Sequence, residues 1–203
     1  MHLEEITVAD LKVLFTFTLI ICSVIILSIY FNYYLLAVVI FGIIMLIFSF
    51  SLFYGAPWFP AEHYVVQKMV DFANVREGDV VYDLGSGDAR ILIETAKQCE
   101  AKGYKNVKLI GVEINPFVLL LSKLTLKLSG FSDKIDIKWQ NLFKTDLREA
   151  DVIFVFLLQK TNYKLEKKLV KLKGIRIVSH LWKFRSLKLV KADKKLKVYL
   201  YQN

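Results

Sequence analysis

The sequence predicts an α/β fold, with a mostly parallel sheet finished by a terminal antiparallel hairpin and preceded by a two-helix transmembrane hairpin. Three observations carry that expectation. Short apolar runs alternate with amphipathic helical stretches from residue 61 onward, the pattern of βαβ units. A glycine pair stands directly after the first of those runs, in Asp83-Leu84-Gly85-Ser86-Gly87-Asp88. From Val13 through Ala61 there is no Asp, Glu, Lys, Arg or His. An ordinary soluble domain does not stay uncharged for so long, so on this reading a purely soluble chain is excluded.

The uncharged leader is long enough for two spans, since crossing about 30 Å of hydrocarbon takes roughly 20 apolar residues. The best break is Phe31-Asn32-Tyr33-Tyr34, where Asn favours a turn and Tyr suits an interface. The expected spans are near 11–31 and 35–54, with residues 1–54 as tail and hairpin. Gly55, Pro57 and Pro60 would end the second helix, and Trp58 and Phe59 would sit in an aromatic belt. A cleaved signal peptide would need a basic start and a much shorter apolar core, whereas this leader opens on Glu4-Glu5. No ionisable residue falls mid-span, which speaks against a pump or channel. The expectation is an integral membrane anchor in contact with the lipid bilayer. Lys68, Arg76 and the many later lysines place the domain that follows on the cytoplasmic side.

Residues 55–203 then read as a basic domain, within a chain of 203 residues carrying 28 Lys+Arg against 19 Asp+Glu. An amphipathic helix over 61–74 precedes a strand over 80–84. A helix over 88–99 presents Ile91, Leu92, Ile93 and Ala96 to the sheet. A second strand covers 108–113, a Leu-rich helix 116–129, and a third strand 135–139. A fourth strand is read over 151–158 from its unbroken apolar run, then a helix over 161–172 and a fifth strand over 176–180. Segments 187–190 and 197–201 form the terminal antiparallel pair. The two cysteines, Cys22 and Cys99, are too few for a disulfide framework or a cysteine-ligated zinc site, and no metal is expected.

Parallel sheets bind ligands at the carboxyl ends of their strands. The glycine turn lets a ligand approach without meeting a Cβ. A dinucleotide fingerprint would require Gly where Arg90 stands, and no Walker loop is present. Asp83, two residues before the first Gly, would repel a pyrophosphate and attract a ligand carrying an ammonium and a sulfonium. S-adenosylmethionine fits that description. Glu113, ending the second strand, can accept both hydrogen bonds of a ribose diol. Asn141 could bond the adenine edge, and Leu142 could pack on the ring. Each residue also has a plainer reading: a strand-to-helix turn, an acid at a helix start, a turn asparagine.

The run Val81-Tyr82-Asp83-Leu84-Gly85-Ser86-Gly87-Asp88-Ala89-Arg90-Ile91, followed by Gly111-Val112-Glu113-Ile114-Asn115-Pro116, Phe154-Val155-Phe156-Leu157-Leu158 and Val178-Ser179-His180, resembles the class I, Rossmann-like methyltransferases dependent on S-adenosylmethionine. Within that class it is similar to the archaeal and mitochondrial protein-lysine methyltransferases, those acting on the ATP synthase c subunit and the adenine nucleotide translocase included. The resemblance covers about residues 56–201. It implies cofactor contacts from Asp83, Gly85, Ser86, Gly87, Asp88, Glu113, Asn115, Asn141 and Leu142. It also implies a closing segment at Pro57-Trp58-Phe59-Pro60, with Phe59 and Pro60 over the cofactor. Ala89 departs from the family's usual Gly, and its methyl could crowd the methionine moiety or shift the helix start.

The expected function is methylation of lysine side chains on membrane or membrane-associated proteins. The alternatives are a lipid or small-molecule methyltransferase, or a non-catalytic cofactor- or partner-binding membrane module. No catalytic base stands out; His180, His63 and Glu62 are the candidates. The lysine-rich stretches 160–173 and 188–197 would suit nucleic acid or anionic lipid, but read most simply as a solvated helix face and a basic hairpin. The Asn-Pro-Pro-aromatic motif of base-methylating enzymes is absent at Leu158-Gln159-Lys160, so nucleic acid is not the expected acceptor.

Overall fold

A computed structural model describes residues 8–31, 33–54 and 59–203; within the two N-terminal helices, side chains are described over 15–31 and 33–45. Two compact units divide the chain, Met1–Ser49 and Phe50–Asn203. Asn32, Gly55, Pro57 and Trp58, which figure in the sequence expectations, lie outside the described residues.

The N-terminal helices are α1 (Val8–Phe31) and α2 (Tyr34–Tyr54). The short turn between them carries a bond from the Tyr33 amide to the Ser28 carbonyl at 2.8 Å. The Ser23 and Ser28 hydroxyls donate back to Leu19 and Val24 of their own helix, at 2.8 and 2.6 Å, the local bonding expected of mid-helix serines.

The two transmembrane spans expected near 11–31 and 35–54 require correction. Among the described residues, no helix is long and apolar enough to cross a membrane. The expected integral-membrane, cytoplasm-facing placement loses its support with them. What misled the sequence reading was the unbroken lack of charge, which by itself does not establish a membrane-crossing helix.

The second unit is built on a seven-stranded sheet of order β3-β2-β1-β4-β5-β7-β6. Its strands are β1 (Val80–Leu84), β2 (Lys108–Glu113), β3 (Ile135–Trp139), β4 (Val152–Val155), β5 (Arg176–His180), β6 (Leu189–Asp193) and β7 (Val198–Gln202). The first five pair in parallel; β7 runs antiparallel to both β5 and β6. Helices α3 (His63–Ala73), α4 (Arg90–Ala101), α5 (Pro116–Ser129) and α6 (Gln159–Leu169) complete the unit.

Apolar residues cover both faces, as a parallel sheet requires. On one face Met69, Val70 and Leu92 pack with Val81, Phe154 and Val178. On the other, Leu165 and Leu169 pack with Leu84, Ile153, Val155 and Ile177. The strand order reverses at β1, whose neighbours are β2 and β4. A crevice at their carboxyl ends is where such a sheet takes a ligand.

Two boundaries differ from expectation for a local reason. The strand read over 151–158 ends at Val155, because Phe156 and Leu157 turn out to line the crevice. The helix read from 88 begins at Arg90, because Ala89 sits in the left-handed region with φ of 67°.

Candidate functional site

The loop between β1 and α4 is pinned from three sides. The Gly85 and Ser86 amides both donate to the Val112 carbonyl of β2, at 2.9 and 3.1 Å. The Gly87 amide donates to Glu113 Oε2 at 3.1 Å. From beneath, the Ser122 hydroxyl of α5 reaches the Gly87 carbonyl. Gly85 has φ of +83°, and a Cβ there would lie 2.7 Å from Leu157 Cδ2, so both conformation and space demand glycine. A Cβ on Gly111 of β2 would meet Ile137 Cδ1 at 2.4 Å and Ser86 Oγ at 2.8 Å.

Around this loop opens a cleft. Its walls come from the loop after β1, the ends of β2 and β4, the turn after β3, and the segment at Phe59, Pro60 and Ala61. Most of the residues expected from sequence meet there: Gly85, Ser86, Gly87, Asp88, Glu113, Asn115, Asn141, Leu142, Phe59 and Pro60 all line it.

Several of them do structural work as well. Glu113 Oε1 accepts from the Ile114 and Asn115 amides at 2.9 and 2.8 Å, which is the plainer role of an acid at a helix start. Burial raises its pKa, opposed by the hydrogen bonds from Asn115, Gly87 and Ile114. A carboxylate offers about four acceptor sites. With three taken, Oε2 retains one for a ligand hydroxyl. Asn115 caps α5, its Oδ1 accepting from the Phe117 and Val118 amides. Asn141 Oδ1 accepts from the Phe143 amide at 2.9 Å, an Asx turn.

Asp83 is 1% exposed and lies beneath the loop instead of on the cleft wall. Its Oδ2 is buried without a hydrogen-bond partner, and so is Ser86 Oγ. Burial first, then the charges of Glu113 and Asp88, push the Asp83 pKa up to about 8. The sequence reading took this carboxyl as a standing negative charge. In the ligand-free protein it instead holds a proton near neutrality, and a cation close by would be needed to draw the proton off.

The proposed bases do not assemble into a catalytic group. Glu62 and His63 are exposed at the start of α3, His63 Nε2 lying 3.9 Å from Glu94 Oε2. His180 is buried at the tip of β5, its Nδ1 3.3 Å from the Lys197 carbonyl, and burial pushes its pKa down to about 4. So weak a base does not draw a proton from an alkylammonium group.

Sequence reasoning missed four contributors. Arg90 forks onto Asp88, with Nε 2.9 and 3.1 Å from the two carboxylate oxygens and Nη2 2.5 Å from Oδ2. Its Nη1 donates to the Ala61 carbonyl at 2.5 Å. Arg90 thereby ties the 59–61 segment to the glycine loop. Phe156 and Leu157 were read as strand interior. Ser122 carried a signal that went unused, a small hydroxyl on the buried face of a Leu-rich helix.

Ala89 is fully buried and is not among the residues lining the cleft, so it does not crowd a ligand there. Its left-handed backbone costs about 1–2 kcal/mol. Glycine would relieve that, but would give up a buried methyl worth about 0.8 kcal/mol and add about 0.4–1 kcal/mol of unfolded-chain entropy. Ala89→Gly is therefore expected to move stability by less than about 1 kcal/mol. Chemical denaturation showing a larger gain would mean the strain is greater than the geometry implies.

The residues present fit S-adenosylmethionine: an orphaned buried carboxyl that a cation can satisfy, a glycine cradle, and an acceptor at the end of β2 for a ribose hydroxyl. Comparisons with known proteins agree. Residues 83–191 match the family described as the ANTKMT methyltransferase domain. A protein-lysine N-methyltransferase of Saccharolobus islandicus (strain REY15A) is 37% identical over 153 residues, which covers 71% of this chain and 92% of that protein. The adenine nucleotide translocase lysine N-methyltransferase of Mus musculus is 33% identical over 113 residues, 56% of this chain, which spans under half (46%) of that relative's length. An RNA methyltransferase from Salinibacter ruber, solved in complex with S-adenosyl-L-homocysteine, is 30% identical with a TM-score of 0.58 over 70% of this chain and 91% of its own. Its bound demethylated cofactor matches what the cleft's chemistry asks for, and the chain belongs to the ANTKMT family of class I methyltransferases that use S-adenosylmethionine.

Proposed function

We infer that the chain transfers methyl groups from S-adenosylmethionine to lysine side chains of proteins. The observation that carries this reading is the likeness to the Saccharolobus protein-lysine N-methyltransferase, which extends over 92% of that enzyme. The apolar ends of β4 and β5, with Phe156 at the cleft and a neutral His180 behind it, suit an amine that must shed its charge.

The cofactor residues follow from position. Glu113 takes a ribose hydroxyl, and Leu142 with Asn141 flanks the adenine. Ser86 and the Gly85–Gly87 backbone receive the amino-acid end, and Asp83, buried beneath the loop, acts on it through its charge. Phe59 and Pro60 cover it, held by Arg90. Bound there, S-adenosylmethionine supplies an electrophilic methyl group. The chain's part is to align acceptor and donor and keep water out, an effect worth several kcal/mol. A free lysine has a pKa of about 10.4, and an apolar mouth lowers it by desolvation. No dedicated base is needed when burial itself favours the neutral amine.

The test uses purified protein, labelled S-adenosylmethionine and three acceptors: a mixed-sequence peptide library containing lysine, the same library with arginine at every lysine, and mixed-sequence RNA. Label in the first alone is expected. The Salinibacter neighbour's RNA acceptor makes a second reading specific enough to include, and label in the RNA arm would replace the lysine assignment.

Arg90 gives a separate check. Lysine keeps the charge but not the two-pronged fork. Arg90→Lys is expected to release the 59–61 segment and speed cofactor dissociation about tenfold, a loss of about 1.4 kcal/mol. Stopped-flow release at the wild-type rate would show that the tie to Ala61 does not hold the cofactor.

A further inference from the structure

Three rings stand in sequence at the carboxyl ends of β4 and β5. Phe59 and Phe156 meet edge to face, centroids 6.2 Å apart with planes at 84°. Phe156 and His180 are closer, at 4.6 Å and 61°. Phe59 and Phe156 line the cleft; His180 is buried behind them and does not.

Strand order locates this row relative to the cofactor. With Glu113 at the end of β2 holding the ribose, the reactive end lies over β1 and β4. The neighbour of β4 on the far side is β5. An acceptor therefore approaches across the tips of β4 and β5, where the three rings are.

The backbone at the β5 tip is held in an uncommon shape. The Trp182 amide donates to the His180 carbonyl at 2.9 Å, closing a three-residue turn around Leu181, whose φ is 66°. Such a turn is strained for a residue with a side chain, and strain of this kind persists only where the surroundings over-determine it. Here the Leu181 amide is fixed on the Lys197 carbonyl at 2.9 Å, and the Ser179 hydroxyl on the Trp182 carbonyl at 3.0 Å. Together with the contact between His180 Nδ1 and the Lys197 carbonyl, these bonds leave the imidazole one orientation, edge-on to Phe156.

We propose that Phe59, Phe156 and His180 wall the acceptor slot and select a primary amine carried on a long aliphatic stem. Phe59 and Phe156 contact the stem. Their ring faces suit its methylenes and, as the nitrogen becomes a methylated cation, the cation as well. His180 is a positioning residue: it acts through Phe156 by its shape and not by its nitrogens. The inference rests on the lysine reading above and names the residues that make that specificity.

The experiment measures steady-state methylation of a lysine-containing peptide that the wild type labels, together with cofactor affinity by calorimetry and the thermal midpoint of each variant. Phe156→Leu and His180→Ala are expected to raise KM for the peptide at least fivefold, with kcat changed less than twofold and cofactor Kd within twofold. His180→Phe, which keeps a ring and removes the nitrogens, is expected to restore KM to within twofold of the wild type. Phe59→Leu, at the least buried of the three positions, is expected to raise peptide KM by the same factor if the other variants fold poorly, with cofactor Kd raised as well because Phe59 also covers the cofactor. A His180→Phe protein as impaired as His180→Ala overturns the inference, and so does a wild-type peptide KM in Phe156→Leu and Phe59→Leu. If the wild type labels no lysine peptide but does label RNA, the functional reading fails first, and the slot assignment fails with it.

Discussion

Replacing Asp83 with Asn is expected to weaken S-adenosylmethionine binding about 10- to 100-fold while making the ligand-free protein relatively more stable at alkaline pH. Both effects come from one buried group. A hydrogen bond to a charged partner contributes about 1.5–3 kcal/mol, and Asn keeps the shape of Asp but not its charge. Without ligand, Asp83 Oδ2 has no partner, and burial with the nearby Glu113 and Asp88 charges pushes the pKa up to about 8 from 3.8. A pKa raised on folding means the folded state binds the extra proton. The stability it brings is present in full below about pH 4 and is lost as pH rises through 8. Asn has no such titration, so the gap between variant and wild type widens in the variant's favour from about pH 4 to pH 8 and is constant above that. A cation bound in the cleft above Asp83 lowers its pKa and favours loss of the proton. Cofactor binding at pH 7 is thus expected to release close to one proton in the wild type and none from this site in Asp83→Asn. Calorimetry in buffers of different protonation enthalpy reads that number directly. Equal affinity for wild type and variant would remove Asp83 from the binding site.

His180 works in the opposite sense. Its pKa is lowered to about 4 from 6.5 by burial, so the stability it contributes is present above about pH 6.5 and lost as pH falls through 4. The ligand-free protein is therefore expected to lose stability from His180 on the acid side and from Asp83 on the alkaline side. Cofactor binding removes only the second loss.

The parts legible in the sequence were those fixed by short-range rules. The strand over Val80–Leu84, the glycine turn after it and Glu113 at the next strand's end are local patterns, and the parallel sheet places them side by side. Asn115, named from the resemblance as a cofactor contact, proves to cap the start of α5 as well. What could not be read depends on distance through space. Arg90 was visible as part of the resembling run and as the residue that broke a dinucleotide fingerprint, but its partner Ala61 lies on another segment, and nothing local announces the pairing. Phe156 belongs to an apolar run that continues past the end of its strand, and hydropathy has no means of marking where a strand turns outward. Asp83 was placed correctly in the chain, but its protonation state depends on burial that only packing decides. The N-terminal expectation failed for the complementary reason, since absence of charge was read as a span.

Glu113→Leu is expected to be the most damaging single change at the site, destabilising the protein by about 3 kcal/mol or more and abolishing measurable cofactor binding. The carboxylate accepts from three backbone amides: Gly87 at 3.1 Å, Ile114 at 2.9 Å and Asn115 at 2.8 Å. Leucine fills a similar volume but leaves all three donors without partners, at about 1–3 kcal/mol for each one that stays buried. The Gly87 bond reaches 26 residues back along the chain, so its loss leaves the glycine loop tied to the end of β2 only through the Gly85 and Ser86 amides on the Val112 carbonyl. The Ser122 contact to the Gly87 carbonyl is then the remaining restraint from α5. Glu113→Gln separates the two roles. Its amide oxygen can still serve the Ile114 and Asn115 pair, while its NH2 meets the Gly87 amide donor to donor. A smaller loss of about 1–2 kcal/mol is expected, with affinity still sharply reduced because the acceptor facing the ribose has become a donor. Chemical denaturation read beside calorimetry distinguishes these cases. Should Glu113→Leu unfold within 1 kcal/mol of the wild type, the loop is held by something other than this carboxylate. Should Glu113→Gln bind the cofactor as tightly as the wild type, the end of β2 does not carry the ribose, and the cofactor's orientation across the sheet has to be reversed.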